Sequence, residues 1–127
     1  MRIFGIGVDV IEIARIARSI DEHGEPFLRR VFTEAEQQYC AAMKHPPQFY
    51  AARFAAKEAV AKTFGTGIGA SVSWLDIEVA HHPSGAPYVV LHGAGAELVQ
   101  DLGIREVLLS LSHSEHYAVA NAVAIAD

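Results

Sequence analysis

The sequence predicts an α+β fold, a largely antiparallel sheet packed with a long alanine-rich helix, and three observations lead there. Residues 48–64, QFYAARFAAKEAVAKTF, are rich in alanine, the best helix former, and Gly65 and Gly67 follow as a stop. Helical patterns crowd the first half of the chain, and strand patterns separated by turn signals crowd the second. That segregation differs from the regular strand–helix alternation of a parallel sheet.

The elements follow in order. RIFGIGVDVI, residues 2–11, is rich in Ile and Val and carries two glycines, which reads as a buried strand whose backbone approaches a neighbour closely. From Ile13 to Ile20 the positions Ile13, Ile16, Ala17 and Ile20 keep helical spacing, while Arg15 and Arg18 fall off that stripe towards solvent. Thr33 followed by Glu36 is a capping-box pattern and marks a second helix start. Pro46 and Pro47 separate that helix from the long one. WLDIEVAHH and PYVVLH alternate around the turn HPSGAPY and form a hairpin. GAGAELVQDLG is a short helix ending at Gly103. REVLLSLSH and HYAVANAVAIA are two last strands joined tightly through Ser114 and Glu115.

The bulk numbers restrict the function. A chain of 127 residues with 51% hydrophobic and 20% charged residues has the means for one core, so residues 1–127 are read as one domain. A net charge of −5 argues against a general nucleic-acid binder, because such proteins neutralise phosphates with Lys and Arg. Cys40 is the one cysteine, which excludes a disulfide framework and thiol-rich metal sites, and it reads as a small core residue in a reducing compartment. Asp9 and Glu12 interrupt the apolar N-terminus, so neither a signal peptide nor a membrane span is expected, and the chain is expected to be cytoplasmic.

The chemistry concentrates in RFAAKEAVAK, residues 53–62, where Glu58 stands among Arg53, Lys57 and Lys62. Glu58 and Lys62 are four apart on one helix face, which on its own is a surface ion pair of about 0.3–0.5 kcal/mol. Asp9, on its strand, is either a strand-end residue or a ligand on rigid backbone. Together Asp9 and Glu58 would leave most positions of a Mg²⁺ ion open to water and substrate phosphates, with Lys62 a point charge beside them. The glycines of FGTGIGAS lack the Gly-Lys-Ser/Thr of a phosphate loop and read as cap and turn. His113 and His116 do not form a convincing zinc site without thiolate support, and His113 is read either as a phosphate or proton-transfer group or as a structural histidine.

Three separated segments, GIGVDVIEI, RFAAKEAVAKTFGTGIG and LSLSHSEHYAVANAVA, taken together resemble the holo-acyl-carrier-protein synthase family of 4'-phosphopantetheinyl transferases over nearly the whole chain. The resemblance implies that family's fold, a homotrimer with composite sites at subunit interfaces, and transfer of 4'-phosphopantetheine from coenzyme A to a serine of acyl-carrier protein. It implies Mg²⁺ held by Asp9 and Glu58, and Lys62 on the transferring phosphate. It places His113 near the coenzyme phosphates, Gly85 and Pro87 in a loop bordering the adenine, and Lys44 and Arg53 as lesser candidates for the 3'-phosphate. Relatives often carry a basic residue before that proline, and Ala86 stands there in this chain. Arg15 and Arg18 match the family's docking surface for the acidic carrier, which explains how a negative enzyme recruits a negative partner. Two rival readings share these residues: a metal-dependent phosphohydrolase, and a noncatalytic module that binds acyl-carrier protein.

Overall fold

The computed structural model describes residues 1–127. Its elements are β1 (Arg2–Glu12), α1 (Ile13–His23), α2 (Glu25–Val31), α3 (Glu34–Ala41), α4 (Pro46–Thr63), β2 (Ile77–His81), β3 (Pro87–Leu91), α5 (Gly93–Asp101), β4 (Ile104–His113) and β5 (Tyr117–Ala126). A three-stranded antiparallel sheet has the order β1-β5-β4, and β2 and β3 form a separate antiparallel hairpin. The α+β expectation holds, with the strands divided between two sheets.

Helix α4 lies across one face of the larger sheet, and the residues beneath it are small. Ala118, Ala120, Ala122 and Ala124 of β5 are all fully buried, as are Ala51, Ala55, Ala56, Ala59 and Ala61 of α4. On β1 the contact is closer still. A Cβ on Gly5 would collide with the Thr63 carbonyl oxygen, and one on Gly7 with that of Ala59. The two glycines of the first strand therefore meet helix backbone, which is the close approach their presence suggested.

Prolines 46 and 47 occupy the first turn of α4, where a missing N–H breaks no helical bond. They open the helix, so it begins two residues before the expected Gln48. Helix α2 has no counterpart among the expected elements; Gly24, at φ 60°, turns the chain out of α1 and into it. Around α3 the expected capping box forms, with Glu36 N–H donating to Thr33 Oγ1 at 3.2 Å and Thr33 N–H donating to Glu36 Oε1 at 2.8 Å.

Glu36 does more than cap. It is 1% exposed, accepts from the Val79 N–H at 2.9 Å, and pairs with the Lys57 ammonium at 2.7 Å. Lys57 is fully buried and also donates to the carbonyl oxygens of Val31 and Trp74. Burial pushes the Lys57 pKa down and the Glu36 charge pulls it back up. The pair thus ties α2, α3, α4 and β2 together, and Lys57 is a structural strut. Cys40 is fully buried, and burial pushes its thiol up to about 12, so it remains a protonated core residue as expected.

The opposite face of the larger sheet is bare. Ile6, Val8 and Val10 of β1 are 70%, 57% and 60% exposed, and Leu108 of β4 is 51% exposed. The register aligns Ile6 with Val123 and Leu108, and Val10 with Val119 and Ser112, so these side chains form one continuous surface.

Gly7→Ala is expected to lower stability by on the order of 3 kcal/mol, because the added methyl meets helix backbone that cannot yield; urea unfolding measures it. Lys57→Met alone should cost roughly 3 to 5 kcal/mol by leaving the Glu36 charge buried and unpaired, whereas Lys57→Met with Glu36→Gln, which removes that charge and keeps a carbonyl oxygen to cap the helix, should recover part of that loss. A double variant as unstable as the single one would show that the pair is not the source.

Candidate functional site

The residues singled out in the sequence gather into two clusters on opposite sides of α4. The first lies along β1. Asp9 points to the same face as Gly5 and Gly7, towards α4, and its side chain is 21% exposed. Lys62 reaches across from the helix, donating to the Val8 carbonyl oxygen at 2.9 Å and to Asp9 Oδ1 at 3.3 Å. The Glu58–Lys62 pair that helical spacing suggested is not formed; Lys62 engages Asp9 instead, because β1 is pressed so closely on the helix. Glu58 is half-buried, and its pKa is raised first by burial and then by the Asp9 charge, against the opposing charges of Lys62 and Arg15.

A half-buried carboxylate whose proton affinity is raised in part by a second carboxylate beside it makes a site that a cation would stabilise. Beyond these two, no further His, Cys, Asp or Glu joins to make a set of three, so an ion held here would keep most of its coordination for water and substrate oxygens. That donor set fits a hard divalent ion such as Mg²⁺ and does not fit a structural zinc site. Arg15 and Arg18 are exposed on α1, which leaves the end of β1 directly, and neither enters an ion pair.

The second cluster lies at the β4 edge, where a cleft of about 180 Å³ opens between α3, α4, the β2–β3 hairpin and β4. Four expected coenzyme-binding residues, Arg53, Gly85, Pro87 and His113, line it together. Gly85 has φ 92°, the left-handed conformation that lets the hairpin turn close over the cleft. His113 is exposed and packs edge-on against Phe49 at 5.4 Å. Lys44 is exposed in the loop before α4 and does not line the cleft.

Tyr39 and His81 also line this cleft and carry no local sequence signal. Their rings stack at 4.6 Å with an interplanar angle of 4°, and the Arg53 guanidinium lies 4.3 Å from the Tyr39 ring centroid. Arg53 is 2% exposed, buried among the alanines and aromatic residues of α4 and the cleft.

The two clusters do not merge within one chain. Asp9 sits opposite Ala120, which sits opposite Leu111, so the β1 and β4 edges are roughly 10 Å apart across β5. On α4, Arg53 and Glu58 are five residues apart, or about 140° around the helix.

Residues 5–122 match the family model described as the 4'-phosphopantetheinyl transferase superfamily. The chain belongs to that superfamily. A holo-[acyl-carrier-protein] synthase of Koribacter versatilis is 47% identical over 121 residues, covering 95% of this chain and 97% of the relative. The crystal structure of the Neisseria meningitidis holo-[acyl-carrier-protein] synthase superposes with a TM-score of 0.91 at 36% identity, covering 98% of this chain and 99% of that one. The Helicobacter pylori enzyme, solved in complex with coenzyme A, superposes with a TM-score of 0.85 at 32% identity, covering 94% and 99%. These matches place the fold with the phosphopantetheinyl transferases, as the three sequence segments implied.

Proposed function

We propose that this chain transfers the 4'-phosphopantetheine group of coenzyme A to a serine of apo-acyl-carrier protein, giving the holo-carrier and adenosine 3',5'-bisphosphate. The observation that carries the reading is the meeting of Asp9, Glu58 and Lys62 at the β1–α4 contact in a member of this superfamily. Residues 1–127 are read as one domain around one core, acting in the cytoplasm; no helix is long and apolar enough to cross a membrane.

Asp9 and Glu58 would hold Mg²⁺. When bound, the ion offsets the negative charge of the coenzyme diphosphate and of the departing phosphate. Lys62, braced by Val8 and Asp9 and 46% exposed at its side chain, has a donor left for a phosphate oxygen. The carrier serine oxygen attacks the β-phosphorus, the bond to the nucleotide oxygen breaks, and the serine proton leaves to a base. That base is either Glu58 directly or a water held beside it at the carboxylate pair. Arg53, His113, Gly85 and Pro87 bind the nucleotide end of the coenzyme, with Lys44 a lesser contributor because it stands outside their cleft.

Arg15 and Arg18 receive the acidic carrier. Arg15 is close enough to Glu58 to oppose the rise of its pKa, so a carrier docked on α1 would bring its serine to the catalytic edge. The two separated clusters support a homotrimer in which the β1 edge of one protomer faces the β4 edge of the next. Each complete site would then draw on two chains, and the bare surface of Ile6, Val8, Val10 and Leu108 would be buried between copies.

Incubation with coenzyme A, Mg²⁺ and apo-carrier should add the mass of one phosphopantetheine to the carrier, and chelator, Asp9→Ala or Glu58→Ala should abolish the gain. Phosphate release without modification would instead indicate hydrolysis, and carrier binding without either product would indicate a binding module. Arg18→Glu should raise the apparent KM for carrier at low salt and leave turnover at saturating carrier nearly intact; an unchanged KM removes α1 from the docking surface. Mixing inactive Asp9→Ala and Arg53→Ala chains under conditions that exchange subunits should restore part of the activity, because some interfaces regain both intact halves. Mixtures that stay inactive after exchange would argue that each site lies within one chain.

A further inference from the structure

The cleft at the β4 edge contains a cation without a counter-charge. Arg53 Nη1 donates to the Phe49 carbonyl oxygen at 3.1 Å, its Nη2 lies 3.1 Å from His81 Nε2, and its buried Nε has no partner. No carboxylate pairs with it, since the buried Glu36 is engaged by Lys57. No Asp or Glu lines the cleft, in a chain whose net charge is −5. A desolvated guanidinium without a carboxylate is costly to the folded chain, and an anionic ligand is what would compensate it.

His81 is bound to that cation in a particular protonation state. A guanidinium has only donors, so the His81 nitrogen facing Arg53 must accept, and the ring is neutral. Burial and the Arg53 charge both hold its pKa below the ordinary histidine value. The other titratable or charged groups facing it are Tyr39 from α3, Arg53 from α4 and His113 from β4; His82 follows it in the chain. None is an acid that would favour the imidazolium before a ligand arrives.

A phosphomonoester changes both conditions. It is close to a dianion at neutral pH and presents three acceptor oxygens. Arg53 can turn its donor to the phosphate, and the released His81 nitrogen can then carry a proton towards the same group.

We propose that His81 is a specificity-determining residue that takes up a proton from solvent as the ribose phosphomonoester of coenzyme A binds Arg53, and then donates to that phosphate. The inference rests on the reading of this cleft as the nucleotide end of the coenzyme site. It assigns to His81, beside Arg53, a share of the discrimination between coenzymes with and without the terminal phosphate.

The test is calorimetric titration of the intact assembled chain with coenzyme A and Mg²⁺ in two buffers of different ionisation enthalpy, repeated with 3'-dephospho-coenzyme A. Coenzyme A should bind with net proton uptake above pH 7, and the dephospho form without it. In His81→Gln the uptake should fall, and coenzyme A should bind roughly tenfold or more weakly near pH 6.5, with the affinity for the dephospho form little changed. His113→Gln separates any contribution of the second histidine. Equal uptake in the original chain and His81→Gln, or equal uptake with both coenzymes, overturns the His81 assignment while leaving the transferase reading intact. Failure of the original chain to bind coenzyme A overturns both.

Discussion

The architecture depends on one close contact, bare β1 backbone against bare α4 backbone. Gly5 and Gly7 leave no side chain between the strand and the carbonyls of Thr63 and Ala59, and alanines do the same work beneath the rest of the helix. At that separation Lys62 can reach both the Val8 carbonyl and the Asp9 carboxylate. A strand held one side-chain layer further away would leave Asp9 and Glu58 as two independent surface acids. The geometry of the charged cluster is therefore a consequence of residues that carry no chemistry of their own.

This explains what could be read from the sequence and what could not. The glycines of GIGVD announced a close approach because glycine within a strand otherwise weakens it. Its partner was not legible, since close approach names no neighbour. Helical spacing correctly put Glu58 and Lys62 on one face of α4, but it says nothing of a strand lying along that face, and so it gave Lys62 the wrong carboxylate. The prolines misled for a related reason. Pro-Pro reads equally as the end of one helix and the start of the next, and the structure uses it as a start. Helix α2 is seven residues long, too short for periodicity to stand out. His81 and Tyr39 were invisible because their roles arise only when β2 and α3 are brought together beside Arg53.

Three basic residues in ten, Arg53, Lys57 and Lys62, occupy one helix in three different electrostatic conditions. Lys57 is fully buried and fully paired, with an acid and two carbonyl oxygens around it, and that completeness is the mark of a structural group. Lys62 is partly exposed and braced against a carboxylate that repels its neighbour Glu58. Arg53 is as buried as Lys57 yet lacks a carboxylate, and one of its nitrogens lacks any partner. Burial alone separates none of these roles. What separates them is whether the charge is already paired with an acid within the chain.

The separation of the two clusters carries the same logic to the level of assembly. Asp9 and Leu111 flank the same central strand, so the acidic edge and the basic cleft lie on opposite sides of it. In the proposed assembly the two clusters would meet through a contact between unlike edges, β1 of one copy against β4 of another. Unlike edges make a heterologous interface, and such an interface either closes into a ring or propagates as a filament. The bare face of Ile6, Val8, Val10 and Leu108 would add a reason for closure if a ring turned it inward and away from water. A protomer built with one half-site on each edge thus has a reason to assemble in a closed ring that a protomer with one complete site would lack.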